Sequence, residues 1–196
     1  MKNKIGVGVV TYKRPEFFKN CIASIPGVDT LVVVNDGTPY DKSLYPSTVK
    51  EVIQHSTNKS VGVAKNAALR YLVQDQCDHL FLIEDDMLIT NPNVFVEYIK
   101  SAEKSGIWHL NYAYHGPANV DAMKRPNPKM TIQYDDDRVM AFNQHCVGAF
   151  SYYLKTIIKH VGYMDERFKN SWDHVEHTYR IIKAGLHPPF WWFADL

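Results

Sequence analysis

Glu84, Asp85 and Asp86 stand in a row directly after the apolar run Leu80-Phe81-Leu82-Ile83. That run follows the polar stretch Asp75-Gln76-Cys77-Asp78-His79 and reads as a buried strand of a parallel sheet. Three carboxylates at the end of a buried strand lose hydration and repel one another unless a positive partner sits beside them. A divalent cation meets that need, and hard oxygen donors suit magnesium or manganese. Open α/β sheets bind ligands beyond the carboxyl ends of their strands, which is where the triplet would stand.

Other residues have types suited to the same edge. Asp36 ends the β-branched run Thr30–Val34, within Asn35-Asp36-Gly37-Thr38. Taken alone it is an Asp-Gly turn; at a ligand-binding edge its carboxylate could accept a hydrogen bond from a base such as uracil. The loop Asn58-Lys59-Ser60-Val61-Gly62 enters a helix that carries Lys65 and Asn66. This is either a plain helix start or a helix N-terminus with a cation facing a diphosphate. Near the end of the chain, Asp173, Glu176, His177 and Arg180 share one helix face by their spacing. The bland alternative is a capping box of Asp173 with Glu176 and an ion pair of Glu176 with Arg180. Trp172 beside them could stack on a sugar or staple the helix start.

Two patterns are set aside. Gly6-Val7-Gly8 invites the dinucleotide-binding fingerprint, but its third position is Thr11 and no acid stands about twenty residues on in the expected register. Glycines in a strand read instead as close packing. Asp135-Asp136-Asp137 lacks an apolar strand leading into it and reads as a solvated hairpin turn between 131–134 and 139–142.

The elements that must position these groups follow from periodicity. Ile5–Val10, Thr30–Val34, Val49–Gln54 and 80–83 read as strands, with helices from Pro15, from Gly62 and over about Asn93–Ala102. This order predicts an α/β fold with a largely parallel sheet flanked by helices. The second half reads as a strand over 107–114, a Pro-rich loop over 116–128, the hairpin, and helices over about 155–161 and 173–184, the latter closed by Gly185. The terminal Trp191 and Trp192 read as core. His109 and His115 receive no role.

The chain has 196 residues, 45% of them hydrophobic, which suits one globular domain rather than two. A net charge of +1 gives no electrostatic case for nucleic acid or a membrane surface. The sequence offers no stretch apolar enough to span a bilayer. Cys21, Cys77 and Cys146 are odd in number and lack metal-ligand spacing, so a reduced, cytoplasmic protein is expected.

The order of motifs resembles the GT-A glycosyltransferases, above all the inverting family 2. The donor half of that family is matched by Thr11-Tyr12-Lys13-Arg14-Pro15, Val33-Val34-Asn35-Asp36-Gly37, Asn58 with Gly62 and Lys65-Asn66, and Glu84-Asp85-Asp86. Its acceptor half is matched by Val147-Gly148-Ala149-Phe150, by 161–168, and by Asp173-His174-Val175-Glu176 with Arg180 and Ala184-Gly185. The resemblance covers nearly the whole chain as one catalytic domain, about 1–104 for the nucleotide-sugar and 105–196 for the acceptor, within what could be a longer protein. It implies that Thr11, Tyr12 and Arg14 line the base pocket, that Asp36 reads the uracil edge, and that Lys65 lies near the ribose or phosphates. It also implies Asp86 as main ligand of Mn2+ or Mg2+, Glu84 and Asp85 toward the ribose, donor sugar or metal-bound water, Asp85 as a second ligand, and His177 as an extra one. Ile83 stands where the family has its first acid, and the Glu-Asp-Asp form is similar to that of the Golgi N-acetylglucosaminyltransferases. The family's catalytic-base position falls on Asp173-His174, with Asp173 the first choice and His174 and His177 the runners-up, as base or as an extra metal ligand.

The activity so implied is hexosyl transfer from a nucleotide-sugar, a UDP-sugar first, to a glycan or glycoconjugate hydroxyl with inversion. The alternative is a nucleotide-sugar or polysaccharide binding module without turnover. A sugar-nucleotide pyrophosphorylase would need a Gly-rich loop after the first strand, and Thr11–Pro15 contains no glycine.

Overall fold

The computed structural model describes residues 3–113, 116–188 and 193–195. Trp191, Trp192 and His115 lie outside them. Six strands form the main sheet: β1 (Ile5–Thr11), β2 (Thr30–Asn35), β3 (Val49–Gln54), β4 (His79–Glu84), β5 (His109–Asn111) and β8 (Phe150–Leu154), in the order β3-β2-β1-β4-β8-β5. The four strands β3, β2, β1 and β4 run parallel; β8 runs antiparallel to both β4 and β5. The helices are α1 (Pro15–Ser24), α2 (Val61–Gln74), α3 (Val94–Ser105), α4 (Lys155–Val161) and α5 (Asp173–Lys183). A small antiparallel sheet joins β6 (Met130–Gln133), β7 (Val139–Asn143) and β9 (Phe193–Asp195).

Alternation along the strands feeds two cores. Leu31 and Val33 join Phe18, Cys21, Ile22, Phe95 and Ile99 of α1 and α3 on one face. Val32 and Val34 join Ala64, Ala68, Leu72, Ile157, Ile158 and Ile181 of α2, α4 and α5 on the other. With both faces covered, the inner strands can be apolar throughout, as β2 and β4 nearly are. Gly6 and Gly8 act as the sequence suggests: a Cβ at Gly6 would lie 2.6 Å from Cys77 Sγ, and one at Gly8 would lie 2.7 Å from Ala68 Cβ. They let α2 press directly onto β1.

Strand order decides where a ligand can enter. From β1 the chain moves outward to β2 and β3, then crosses back to β4 on the other side of β1. The crevice at that reversal opens at the carboxyl ends of β1 and β4, where register pairs Val10 with Glu84 and Thr11 with Asn35.

Three expectations change in the second half. Of the strand expected over 107–114, the described residues 107–113 form strand at His109–Asn111, and residue 114 lies outside them. Phe150–Leu154, unassigned in the sequence, is a central strand, hidden because it runs into α4 without a turn residue between them. The segment 116–128 carries a short 3-10 turn (Pro117–Asn119) and a bridge between Val120 and Pro126 closed around Asp121, whose carboxylate accepts from Met123 N, Arg125 N and the Arg125 guanidinium. It is an organised turn rather than a plain loop. The triple aspartate is the expected hairpin turn, tied down by Lys104 to Asp135 and Arg138 to Asp136.

Candidate functional site

β1 ends in Thr11, whose hydroxyl donates to Asp85 Oδ2 at 2.6 Å across the reversal point. Four residues further on, Pro15 starts α1 and presets its first turn, so Arg14 is held at the helix entrance. Its guanidinium pairs with Asp85 Oδ1 and, at 3.0 Å, with Asp86 Oδ2. Asp85 is fully buried; burial pushes its carboxyl up, and the Thr11 bond and Arg14 offset this only in part. Asp86 is 40% exposed and faces the cleft. The positive partner demanded by the triplet is thus, for Asp85 and Asp86, Arg14.

Glu84 has a different partner. Lys65, on the buried face of α2, lies 2.7 Å from Glu84 Oε1 and 3.4 Å from Asp173 Oδ2, and donates to the Gly148 carbonyl at 3.0 Å. Its three ammonium hydrogens have three acceptors, so a lysine only 1% exposed is fully satisfied. Burial pushes both acids up, but for Glu84 the Lys65 charge beside it prevails, and for Asp173 the neighbouring His174 and Lys65 prevail; both carboxyls end below the usual range. For Lys65 the balance runs the same way: desolvation pulls it down and the two carboxylates hold it protonated. Antiparallel β8 brings Gly148 here, because the Glu84 N–H donates to Ala149 O at 2.8 Å.

These groups line or underlie one cleft of about 930 Å³ at the switch point. Its walls include Thr11, Tyr12, Arg14, Asp36, Glu84, Asp86, Asp173 and His174. Lys65 and Asp85 sit directly behind that wall rather than on it. Lys65, expected near the ribose or phosphates, directs its ammonium at Glu84, Asp173 and the Gly148 carbonyl. Asp36 lines the cleft, yet its carboxylate already accepts from Lys59 N, Ser60 N and His55 Nδ1, at 2.6 to 3.1 Å. Because α2 has no side-chain cap of its own, Asp36 supplies that service from the end of β2.

His177 is not brought to the cleft. It is buried, its Nε2 donates to the Gly162 carbonyl at 2.8 Å, its ring packs against Tyr153, and desolvation lowers its pKa to about 4. One turn of α5 separates it from Asp173 and turns it toward α4, so the expected extra metal ligand is a packing residue. The capping box also fails. Asp173 turns inward to Lys65, Glu176 pairs with Arg180 at 2.6 Å, and no side chain caps α5. Trp172, in a left-handed conformation (φ 70), is 63% exposed beside the cleft.

At this edge Asp86 presents an exposed carboxylate whose Oδ2 is paired with Arg14. Among the described residues no three acidic, histidine or cysteine side chains converge as a ready-made cage. Magnesium-type ions are commonly held by one or two carboxylates with substrate phosphates completing the shell. The carboxylate of Asp86 is accessible, with hard oxygens, and Asp85 stands behind it.

The sequence missed Tyr112, Cys146 and the Lys169-Asn170-Ser171 segment as cleft walls; Asn58, named there with the donor half, lines the cleft as well. Lys169 to Ser171 precede α5 and carry no periodic signal; only the docking of α5 brings them to the site.

Neither a family model nor a curated protein sequence matches the chain. Solved structures do. S. aureus TarS 1-349 aligns over 91% of this chain and 55% of its own, with a TM-score of 0.63 and 18% identity. The mannosyltransferase PcManGT from Pyrobaculum calidifontis, in complex with GDP-Man and Mn2+, aligns over 93% of this chain and 52% of its own (TM-score 0.66, 13% identity). GalNAc-T7 with UDP, GalNAc and Mn2+ aligns over 94% and 42% (TM-score 0.66, 10% identity). The chain thus spans about half the length of the structures it matches. The parallel β3-β2-β1-β4 sheet, the antiparallel β8 beside it and these alignments together give this chain the GT-A glycosyltransferase fold.

Proposed function

We propose that this chain is the core of a metal-dependent glycosyltransferase moving a sugar, a hexose first, from a nucleoside-diphosphate donor to an acceptor hydroxyl. The observation that carries the reading is the meeting of Asp86 and Arg14 with the Asp173–His174 pair across a single cleft at the switch point. The fold alone leaves chemistry open. The presence of GDP-Man with Mn2+, and of UDP with Mn2+, in two structures of the same fold supports the donor class.

On this reading the donor lies along β1 and β4. Thr11, Tyr12 and Asp36 wall the base and ribose, and the diphosphate faces Arg14 and Asp86. Mn2+ or Mg2+ held by Asp86 would neutralise charge growing on the leaving diphosphate. Glu84, fixed by Lys65, faces the donor sugar. The acceptor approaches past Trp172 and Lys169, and the Asp173–His174 pair takes the proton of its attacking hydroxyl. Attack from the side opposite the diphosphate inverts the anomeric carbon. Catalysis is mainly positioning and charge stabilisation. We place residues 1–104 on the donor side and 105–196 on the acceptor side of one unit. A UDP-sugar is the first donor to test, a glycan or glycoconjugate the first acceptor. Three buried free cysteines suit a cytoplasmic setting, and none of the described helices is long and apolar enough to cross a membrane.

The competing reading, a binding module without turnover, gains from Asp173 itself, since a carboxylate locked to an ammonium is a weak base. One assay divides the two: incubation with UDP- and GDP-sugars and manganese, measuring nucleotide release and donor binding. Release that depends on manganese supports transfer. Micromolar donor binding without release from any donor establishes the binding module instead.

A further inference from the structure

Asp173 has no free face. Its Oδ2 is directed at Lys65 Nζ, 3.4 Å away, and its Oδ1 at His174 Nδ1, 3.5 Å away, while the residue as a whole is 1% exposed. Next to it, His174 lines the cleft, with its side chain 20% exposed. Its Nδ1 is buried and makes no hydrogen bond; Asp173 Oδ1, 3.5 Å away, is the carboxylate oxygen that faces it, so Nε2 is the ring nitrogen left to meet a ligand. The ring is held from its other face by Gly148: a Cβ there would lie 2.6 Å from both Cγ and Nδ1 of His174 and 3.0 Å from Lys65 Nζ. Only a residue without a side chain leaves room here for both the imidazole and the ammonium.

This is a carboxylate–imidazole pair with the carboxylate fixed from behind. We propose that His174 is the group that takes the acceptor's proton, that Asp173 is its positioning residue, and that Lys65 and Gly148 hold the pair in place. The proposal rests on the sugar-transfer reading above. In the step it describes, the acceptor hydroxyl oxygen forms a bond to the anomeric carbon and its proton passes to His174 Nε2. The bond from the anomeric carbon to the phosphate oxygen breaks, and its electron pair leaves with the diphosphate. Asp173 remains ionised and keeps the neutral ring in its Nδ1–H form, the same division of labour as in other carboxylate–histidine sites. The charged and titratable groups around His174 are Asp173 on its own helix, Lys65 from α2, Glu84 from β4, His109 from β5 and the Cys146 thiol. Lys65 is shared by Glu84 and Asp173, so the cluster sets one cation against two anions.

The decisive measurement uses the intact chain. Nitrogen-15 NMR of the imidazoles reports the tautomer of neutral His174 without any turnover, with His174→Gln providing the assignment. The expected result is the Nδ1–H form in the wild type and a shift toward Nε2–H in Asp173→Asn. An Nε2–H majority in the wild type overturns the assignment. Kinetics give the second arm. His174→Gln should lower kcat by about 10²- to 10⁴-fold, leave the donor KM within about two-fold, and abolish the acid limb of the pH–rate profile. Asp173→Asn should keep that limb and move it to lower pH, because the imidazolium loses its anion. A His174→Gln enzyme that keeps the limb returns the base to Asp173, and one that needs tenfold more manganese makes His174 a metal ligand; either result sinks the proposal. If the wild type releases no nucleotide from any donor, the transfer reading falls and the role of base falls with it. Release accompanied by the wrong tautomer removes the His174 assignment alone.

Discussion

Two clusters at the same sheet edge have the same charge count and opposite exposure. In one, Arg14 faces Asp85 and Asp86; in the other, Lys65 faces Glu84 and Asp173. Each sets one cation against two carboxylates. The Arg14 side chain is 43% exposed and Asp86 nearly as much, so that pair exchanges partners with solvent and with any ligand in the cleft. Lys65 and Asp173 are sealed, and Lys65 has a carbonyl as its third acceptor. An exposed pair contributes about 0–1 kcal/mol to stability, whereas stripping one member from a buried pair costs about 3–5 kcal/mol. The open cluster is therefore suited to exchanging partners, and the sealed one to holding its groups still.

The largest expected effect tests the sealed side. Lys65→Met should lower the unfolding free energy by about 3–5 kcal/mol, read by urea denaturation, because it strips the buried Asp173 and the part-buried Glu84 of their shared cation. A loss below about 1 kcal/mol would erase the distinction between the clusters. On the open side, Asp86→Asn should reduce manganese-dependent nucleotide release by about 10²- to 10³-fold, an effect of several kcal/mol on the transition state. Its unfolding midpoint should stay close to that of the wild type. Unchanged manganese dependence would remove Asp86 as the metal residue. Gly148→Ala sharpens the sealed side further. The added methyl must displace the His174 ring, at a stability cost of about 1–3 kcal/mol, and turnover should fall with it while donor affinity, measured by calorimetry, stays near the wild-type value.

The smallest effect is a pH dependence. His177 and His187 pack around α5 and its neighbours, and burial lowers both to about 4. A histidine whose folded pKa lies below its unfolded value binds more protons unfolded, so its contribution is complete above about pH 6.5 and is lost as pH falls toward 4. Thermal melts should show stability declining across that window. His177→Gln should flatten the decline, and a slope unchanged by that substitution would remove His177 from it.

Legibility in the sequence followed locality. Alternating and 3.6-residue patterns reveal β1 to β4, the first helices and the last, because the two apolar cores on either face of the sheet impose those periods. The acid triplet, Asp36 and Asp173 are visible as residue types at element ends. β8 was not visible, since its neighbours β4 and β5 come from remote parts of the chain. The helix-start reading of Asp173 with Glu176 was locally reasonable and failed because Lys65, 108 residues away, offers the carboxylate a stronger partner.

The amino-acid order alone determined that three acids would end a buried strand, that a positive charge must meet them, and that the chain would form an α/β sheet with a ligand edge. Only the tertiary structure decided which cation meets which acid: Arg14 for Asp85 and Asp86, Lys65 for Glu84 and Asp173. It also decided that His174 rather than His177 faces the cleft. The reason is physical. Burial and periodicity are local and repeat along the chain, but the choice of partner for a buried charge depends on a few ångströms between elements that the sequence keeps far apart.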